Sequence, residues 1–173
     1  MKINLISVTP KNISEEGIYC IKDSKADGYK AKLKWFEKQY KNGLRLQIAK
    51  NEEGDKMGFI EYIPAEYAWR PVDADNYLFI HCMMTYPNKH RKQGVGEALI
   101  EACEREAKEN GKSGVCVMTS KGSWVTTKEI FQKLGFEQCD KLGRFELMIK
   151  KLDKSAAEPQ LINWEEKAKN YKG

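Results

Sequence analysis

Apolar and polar positions follow two different periods along this chain, and the changes of period mark out strands and helices. Ile3 to Val8 reads as a short strand, after which Pro10 and the polar run to Glu16 predict a turn and one helical turn. From Asp27 to Tyr40 the residues Tyr29, Leu33, Trp35, Phe36 and Tyr40 recur at helical spacing, and Asn42-Gly43 supplies the stop. Leu44, Leu46 and Ile48 then alternate with Arg45 and Gln47, which is a strand's period. Turn residues Asn51 to Asp55 lead into a second strand, Met57 to Ile63, ended by Pro64. The stretch Ala65 to Asn76 carries Trp69, Arg70 and Pro71 without a period and is read as a loop.

Tyr77 to Thr85 is a near-continuous apolar run, the pattern of a strand buried on both faces. A basic, glycine-containing segment follows. Val95, Ala98, Leu99, Ala102, Cys103 and Ala107 then form one helical stripe opposite Glu97, Glu101, Glu104 and Lys108, and Asn110-Gly111 closes the helix. Val115 to Thr119 is a second buried strand, so strand, helix and strand predict a parallel pair joined by a crossover. Thr126 to Glu129 is a capping box for a short helix through Ile130, Phe131 and Leu134, stopped at Gly135. Arg144 to Leu152 alternates again as a last strand. These elements predict an α/β domain over 1–152, with a mixed, mostly antiparallel sheet flanked by helices. Residues 153–173 open on Lys154 to Pro159, a linker-like composition, and form a tail.

A chain of 173 residues and 19.9 kDa suits one domain. Hydrophobic residues at 41%, charged residues at 32% and a mean hydropathy of −0.66 exclude a disordered chain, and no apolar run approaches a bilayer's span. The start, Met1 to Leu5, lacks the apolar stretch of a secretory signal, so the expected setting is the cytoplasm, without a membrane partner. Five scattered cysteines, Cys20, Cys82, Cys103, Cys116 and Cys139, fit neither a disulfide framework nor a zinc site and are read as buried thiols. With His81 and His90 the only histidines, no metal centre is expected. The net charge of +5 comes from 30 basic residues interleaved with 25 acidic ones, which suits a basic pocket for an anionic ligand better than a nucleic-acid face.

That pocket has a candidate in Arg91-Lys92-Gln93-Gly94-Val95-Gly96, set between a buried strand and a helix. The glycines let backbone N–H groups approach a ligand, the helix N-terminus adds partial positive charge, and Lys89, Arg91 and Lys92 add whole charges. A pyrophosphate suits such a loop. A Walker loop is absent, and Glu97, Ala98 and Leu99 stand where a dinucleotide fingerprint needs a third glycine.

The strand Tyr77 to Thr85, then Arg91-x-x-Gly94-x-Gly96, then helix, strand, short helix and Lys133-Leu134-Gly135-Phe136 together resemble the acetyl-CoA-binding core of the GNAT superfamily of N-acetyltransferases. The resemblance covers Ile3 to Leu152. It implies acetyl-CoA as co-substrate, a splayed pair of strands at the cofactor site, and transfer of an acetyl group to a small-molecule or peptide amine. Backbone groups of Met83, Met84 and Thr85 would hold the pantetheine arm, and amides of Lys92, Gln93, Gly94, Val95, Gly96 and Glu97 the pyrophosphate beside Arg91. A homodimer is compatible with such a domain. The family's usual tyrosine, which protonates the departing thiolate, is Phe131 here, and its usual asparagine is Trp124. Phenylalanine has no proton to give, so a tyrosine-type general acid is excluded at that position. Trp124 is read as a wall of the pantetheine or acceptor pocket.

Direct transfer needs a base for the amine proton, and position offers His81 and Glu61, with His81 the better matched in intrinsic pKa. Trp69 and Arg70 are candidate acceptor contacts. Ser120, Ser123 or Thr127 could relay a proton to the thiolate, although turn and cap roles suit them as well. Two other classes stand beside the enzyme: a non-catalytic acyl-CoA-binding or regulatory module, and a nucleic-acid-binding domain using the basic loop.

Overall fold

The computed structural model describes residues 2–18, 25–121, 127–163 and 165–166. Its frame is a seven-stranded sheet formed by β1 (Asn4–Val8), β2 (Arg45–Lys50), β3 (Lys56–Pro64), β5 (Tyr77–Thr85), β6 (Gly114–Ser120), β8 (Phe145–Lys151) and β7 (Glu137–Leu142), in that spatial order. Two two-residue strands, β4 (Val72–Asp73) and β9 (Gln160–Leu161), pair apart from it. The helices are α1 (Ile13–Glu16), α2 (Asp27–Lys41), α3 (Val95–Glu109) and α4 (Lys128–Lys133), with 3-10 turns at Ala65–Tyr67 and Asn88–His90.

Every neighbouring pair in the large sheet is antiparallel except β5 with β6, which α3 connects. The expected mixed, mostly antiparallel sheet is therefore present, and the strand-helix-strand unit makes its parallel pair. The loop reading is corrected, and one strand lies where no element was expected. Val72–Asp73, inside the expected loop, is a strand because Gln160–Leu161 returns to pair with it, so part of the expected tail packs on the domain. Glu137–Leu142 is a strand although its sequence, Glu-Gln-Cys-Asp-Lys-Leu, shows no apolar alternation. It is an edge strand, exposed over much of its length, so its place comes from backbone pairing with β8 rather than from a buried face.

The alternation along the central strands divides the core between two faces. Leu78, Ile80, Val115 and Val117 point toward α3, whose Val95, Leu99, Ile100, Cys103 and Ala107 complete that cluster. Each Val, Leu and Ile side chain among them contributes about 1.5–3 kcal/mol when fully buried. Phe79, Cys116, Met118 and Leu147 point the other way, into a cluster with Ala65, Val72 and Ile149 beneath the β4–β9 pair. Beside it, Phe36 of α2 packs with Leu46, Ile48, Phe59 and Ile63. Cys103 and Cys116 are fully buried and burial pushes both thiols well up, whereas Cys82 and Cys139 are only half-buried, a correction to the expected set. Cys20 lies outside the described residues.

Gly114 opens β6 between Tyr77 on β5 and Lys151 on β8. A Cβ there would lie 2.5 Å from the Lys150 carbonyl oxygen and 2.8 Å from Cε1 of Tyr77, neither of which can step aside without moving a central strand. Overpacking of this kind costs about 1–3 kcal/mol. We expect Gly114→Ala to lower the urea midpoint by a corresponding amount; an unchanged midpoint would show that these strands are less tightly held than their spacing implies.

Candidate active site

Two strands that run side by side part company halfway. The β5–β6 ladder holds from Tyr77↔Gly114 to Ile80↔Val117 and stops, while β5 stays paired to β3 as far as Thr85 and β6 to β8 as far as Ser120. Beyond Ile80 the sheet opens into a wedge edged by His81 to Thr85 on one side and Met118 to Ser120 on the other.

A bulge on β5 begins at the same place. Glu61 pairs with Cys82 and Tyr62 with Ile80, which leaves His81 as the extra residue. The usual alternation is therefore broken: Ile80 faces α3, Cys82 packs with the α2 cluster, and Met83 returns to the α3 face. His81 sits on the α2 side, its side chain fully buried, with Nδ1 3.1 Å from Oε2 of Glu61. The other carboxylate oxygen of Glu61 takes a 3.0 Å bond from Nζ of Lys32, from the middle of α2. Trp69 stacks on His81 at 4.2 Å between ring centroids, and Trp35 stacks on Trp69 at 5.2 Å. The Lys32 ammonium lies 3.9 Å from the Trp35 ring centroid and 4.9 Å from that of Trp69.

This arrangement sets the charges. Burial pulls the His81 imidazole below its ordinary range, and the hydrogen bond to Glu61 recovers only part of that while the charges of Lys32 and Arg70 add to it. Burial alone would raise Glu61, but the His81 hydrogen bond and the Lys32 charge outweigh it and hold the carboxyl below its usual range. Near neutral pH Glu61 is thus anionic and His81 neutral. The Trp69 backbone N–H approaches His81 Nε2 at 3.4 Å, so Nε2 carries the lone pair and Nδ1–H donates to Glu61. Lys32 and Trp35 had no signal in the sequence beyond their places on a helix.

On the α3 side of the wedge lies the basic loop. Arg91, Lys92, Gln93 and Gly94 are exposed, Val95 is buried against the sheet, Gly96 is half-buried and Glu97 exposed. Lys92 and Gly94 both take left-handed backbone, at φ 63° and 78°. The first bond of α3 runs from the Ala98 N–H to the Gly94 carbonyl, so the amides of Val95, Gly96 and Glu97 precede the helical ladder and point out of its end. A Cβ on Gly94 would meet no protein atom within 4 Å, so the space above the loop is open. The Gln93 side chain turns back to the Lys89 carbonyl at 3.2 Å instead of outward. Anions suit this end of the helix, where free amides and partial positive charge meet Arg91 and Lys92, and the residues fit a pyrophosphate.

The other expected contacts are distributed unevenly. Met83 is buried, Met84 is 37% exposed and Thr85 is half-buried, all along the parting edge of β5. Phe131 is 1% exposed and packs edge-on against Phe136 at 5.3 Å, within the core on the α3 face. Ser120 is buried at the end of β6, and Thr127 is the exposed N-cap of α4. Trp124 and Ser123 lie outside the described residues, as does Thr126 of the expected capping box. Among the described residues no cluster of three or more His, Cys, Asp or Glu is placed to hold a metal ion, and no helix is long and apolar enough to cross a membrane.

A cavity of about 650 Å³ opens on the face opposite α3, walled by Trp69, Pro71, Met118, Phe145, Leu161 and Ile162. It reaches the wedge from below, since Met118 follows the last β6 residue paired with β5 and Trp69 covers His81, which follows the last paired residue of β5. Arg70 and Arg144 line it too. Sequence reasoning found Trp69 and Arg70, but not the β7–β8 turn or the returning segment at Leu161 to Asn163.

Residues 43–138 match the model of the acetyltransferase (GNAT) domain family. The chain is 28% identical over 148 residues to the uncharacterized N-acetyltransferase YoaP of Bacillus subtilis (strain 168), an alignment covering 83% of this chain and 57% of that protein. The chain therefore spans little more than half the length of that relative. Among solved structures, an acetyltransferase of the GNAT family from Staphylococcus aureus Mu50 superposes with a TM-score of 0.60 at 16% identity, covering 88% of this chain and all of that one. The PaiA N-acetyltransferase of Thermoplasma acidophilum, in complex with coenzyme A, gives 0.60 at 16% identity over 87% and 99%. The AAC(6')-Iy structure with a CoA bisubstrate analogue gives 0.64 at 18% identity over 83% and 96%. The family match takes in more than half of the residues and contains the parting strands and the loop between them, and on that ground the chain belongs to the GNAT acetyltransferase family.

Proposed function

We propose that this chain transfers an acetyl group from acetyl-CoA to a primary amine by direct attack, and the observation that carries the proposal is the parting of β5 from β6 beyond Ile80 and Val117, beside the open N-terminus of α3. The amides of Val95, Gly96 and Glu97, with Arg91 and Lys92 around them, take the pyrophosphate, and the edge of β5 from Met83 to Thr85 takes the pantetheine arm. When bound, acetyl-CoA supplies a thioester carbonyl carbon for the amine to attack, the C–S bond breaking to release CoA as thiolate. Nothing in this site requires a metal ligand or a covalent acyl-enzyme.

The amine must lose a proton, and His81 Nε2 carries the lone pair to receive it, while Glu61, held by Lys32, stabilises the imidazolium that results. Because the His81 side chain is fully buried, the proton reaches it past Trp69, by a water when the Trp69 amide gives way. Phe131 brings no acid to the thiolate. None is needed at neutral pH, since a thiol of pKa about 8.5 leaves as an anion and is protonated by solvent. The cytoplasm suits the reading, because Cys82, Cys103, Cys116 and Cys139 are all outside disulfides.

Isothermal titration with acetyl-CoA and CoA is the first test, and binding of neither would remove the proposal. Gly94→Asp adds a carboxylate where phosphate would sit and a side chain at positive φ. It is expected to weaken CoA binding at least about tenfold, or about 1.4 kcal/mol; unaltered affinity in a folded variant would discard the loop assignment. His81→Gln is expected to lower kcat far more than it changes the KM for acetyl-CoA, and equal turnover by the variant would assign the base to another group.

The pH profile separates the base from its surroundings. With His81 held below its ordinary pKa of 6.5, kcat/KM should stay level from neutral pH down past 6.5 and fall only in more acid solution. In Lys32→Met the cation that disfavours imidazolium is gone, so the acidic limb should move to higher pH. A limb that stays in place in Lys32→Met and persists in His81→Gln would assign it to another group.

A further inference from the structure

The cavity beneath the wedge is apolar on most of its wall but carries two guanidinium groups from separate connections, Arg70 after Trp69 and Arg144 in the β7–β8 turn. Neither forms an ion pair or hydrogen bond among the described residues. Arg144 lies with its guanidinium carbon 5.1 Å from the Phe145 ring centroid. Arg70 is close enough to His81 for its charge to disfavour imidazolium there. Among the described residues the carboxylate on the wall is that of Glu165, which is exposed. An arginine fork with no carboxylate partner among the described residues, set beside apolar surface, matches a carboxylate in shape and charge, and it repels a polycation. The volume of about 650 Å³ is that of a small-molecule site and not of an extended surface.

We infer that the acceptor is a free α-amino acid with a large apolar or aromatic side chain, its carboxylate held by Arg70 with Arg144 at the second side, its side chain among Pro71, Phe145, Leu161 and Ile162, and its amine at the wedge between Trp69 and Met118. The inference rests on the acetyltransferase reading above. The position of Arg70 favours an α-amino acid, because it adjoins Trp69, which stacks on His81, and its charge acts on that imidazole, so an anion held there lies on the side of the wedge where the amine must arrive. The reaction is balanced as a simple transfer. The amine lone pair forms the N–C bond to the acetyl carbonyl and the C–S bond breaks. The ammonium proton passes to His81 and on to solvent, the thiolate gains a proton, and an N-acetyl amino acid and CoA result.

The experiment is a thiol-release assay on the full chain at saturating acetyl-CoA. The acceptors are phenylalanine, leucine and methionine, their carboxamides, a dipeptide with N-terminal phenylalanine, 2-phenylethylamine and spermidine. The free acids are expected to exceed the amides, the dipeptide and the decarboxylated amine in kcat/KM by at least about tenfold, with spermidine the poorest. Arg70→Gln should raise the KM for the acids and narrow the acid-to-amide ratio, and Arg70→Lys, which keeps charge but loses the fork, should fall between. Amides turned over as well as acids, a preference for the dipeptide or spermidine, or no turnover of any free acid by protein that binds acetyl-CoA in the calorimeter would each overturn the inference while leaving the acetyltransferase reading in place. Loss of acetyl-CoA binding in the wild-type chain would instead remove the underlying reading.

Discussion

The single extra residue on β5 governs most of what surrounds it. A strand obeying strict alternation from Ile80 would turn Cys82 toward α3 and Met83 away from it. With His81 bulged out, Met83 comes back to the α3 face, where its Cε lies 3.9 Å from the Cβ position of Gly96, so the loop at the start of α3 rests on the strand it follows. The bulge also comes where β6 leaves. A bulge increases local twist, and a strand twisting away from its parallel neighbour while still bonded to its antiparallel one has to open a wedge on the neighbour's side. The opening between β5 and β6 is therefore a consequence of backbone geometry that the β3 ladder, which resumes past the bulge and runs as far as Thr85, holds in place.

A buried carboxylate and a buried imidazole next to that opening would be costly on their own. Removing one member of a buried ion pair costs about 3–5 kcal/mol because the remaining charge has no compensation. Lys32 supplies the compensation here from a helix that crosses the other face, and its own desolvation is eased by the faces of Trp35 and Trp69. The linkage follows from the directions of the shifts. The fold favours neutral His81 and ionised Glu61, and the unfolded chain binds protons more readily at both. Stability from this pair is present above pH 6.5 and is lost as the pH falls below the ordinary values of 6.5 and 4.5 toward the folded ones.

Much of this was legible before any coordinates. The long apolar runs at Tyr77 and Val115, with an amphipathic helix between, carry the parallel pair because nothing else buries two such strands on both faces. The basic glycine loop was legible because its chemistry is local: φ above zero at Gly94 and exposed amides at a helix start need only neighbouring residues. The β4–β9 pair was not legible, since two-residue strands have no period to read, and neither was β7, whose polar edge is held by hydrogen bonds that any side chain permits. The bulge left no trace either. Its presence depends on the register of β3 against β5, which the apolar run from Leu78 to Met84 fits equally well with or without an extra residue. Lys32 and Trp35 were invisible as site residues for the same reason, because their role depends on how α2 is laid across the sheet.

The division of the sheet into two faces limits how the proposed chemistry can be arranged. The proposed anion-binding loop lies on the α3 face and the cavity on the other, and across a continuous sheet a side chain layer and a backbone layer would separate them by the thickness of the strands. Hydrogen-bonded strands about 4.8 Å apart admit nothing between them. The wedge past Ile80 and Val117 is the one place in the described sheet where neighbouring central strands are not bonded to each other, so an acyl group held from the α3 side can meet an amine held from the cavity only there. His81 and Met118, the first residues past the last paired ones, are for that reason the positions at which the two proposed ligands come together. A proton acceptor on the cavity side of the wedge is then the arrangement that direct transfer demands, since the proton leaves from the amine and not from the thioester.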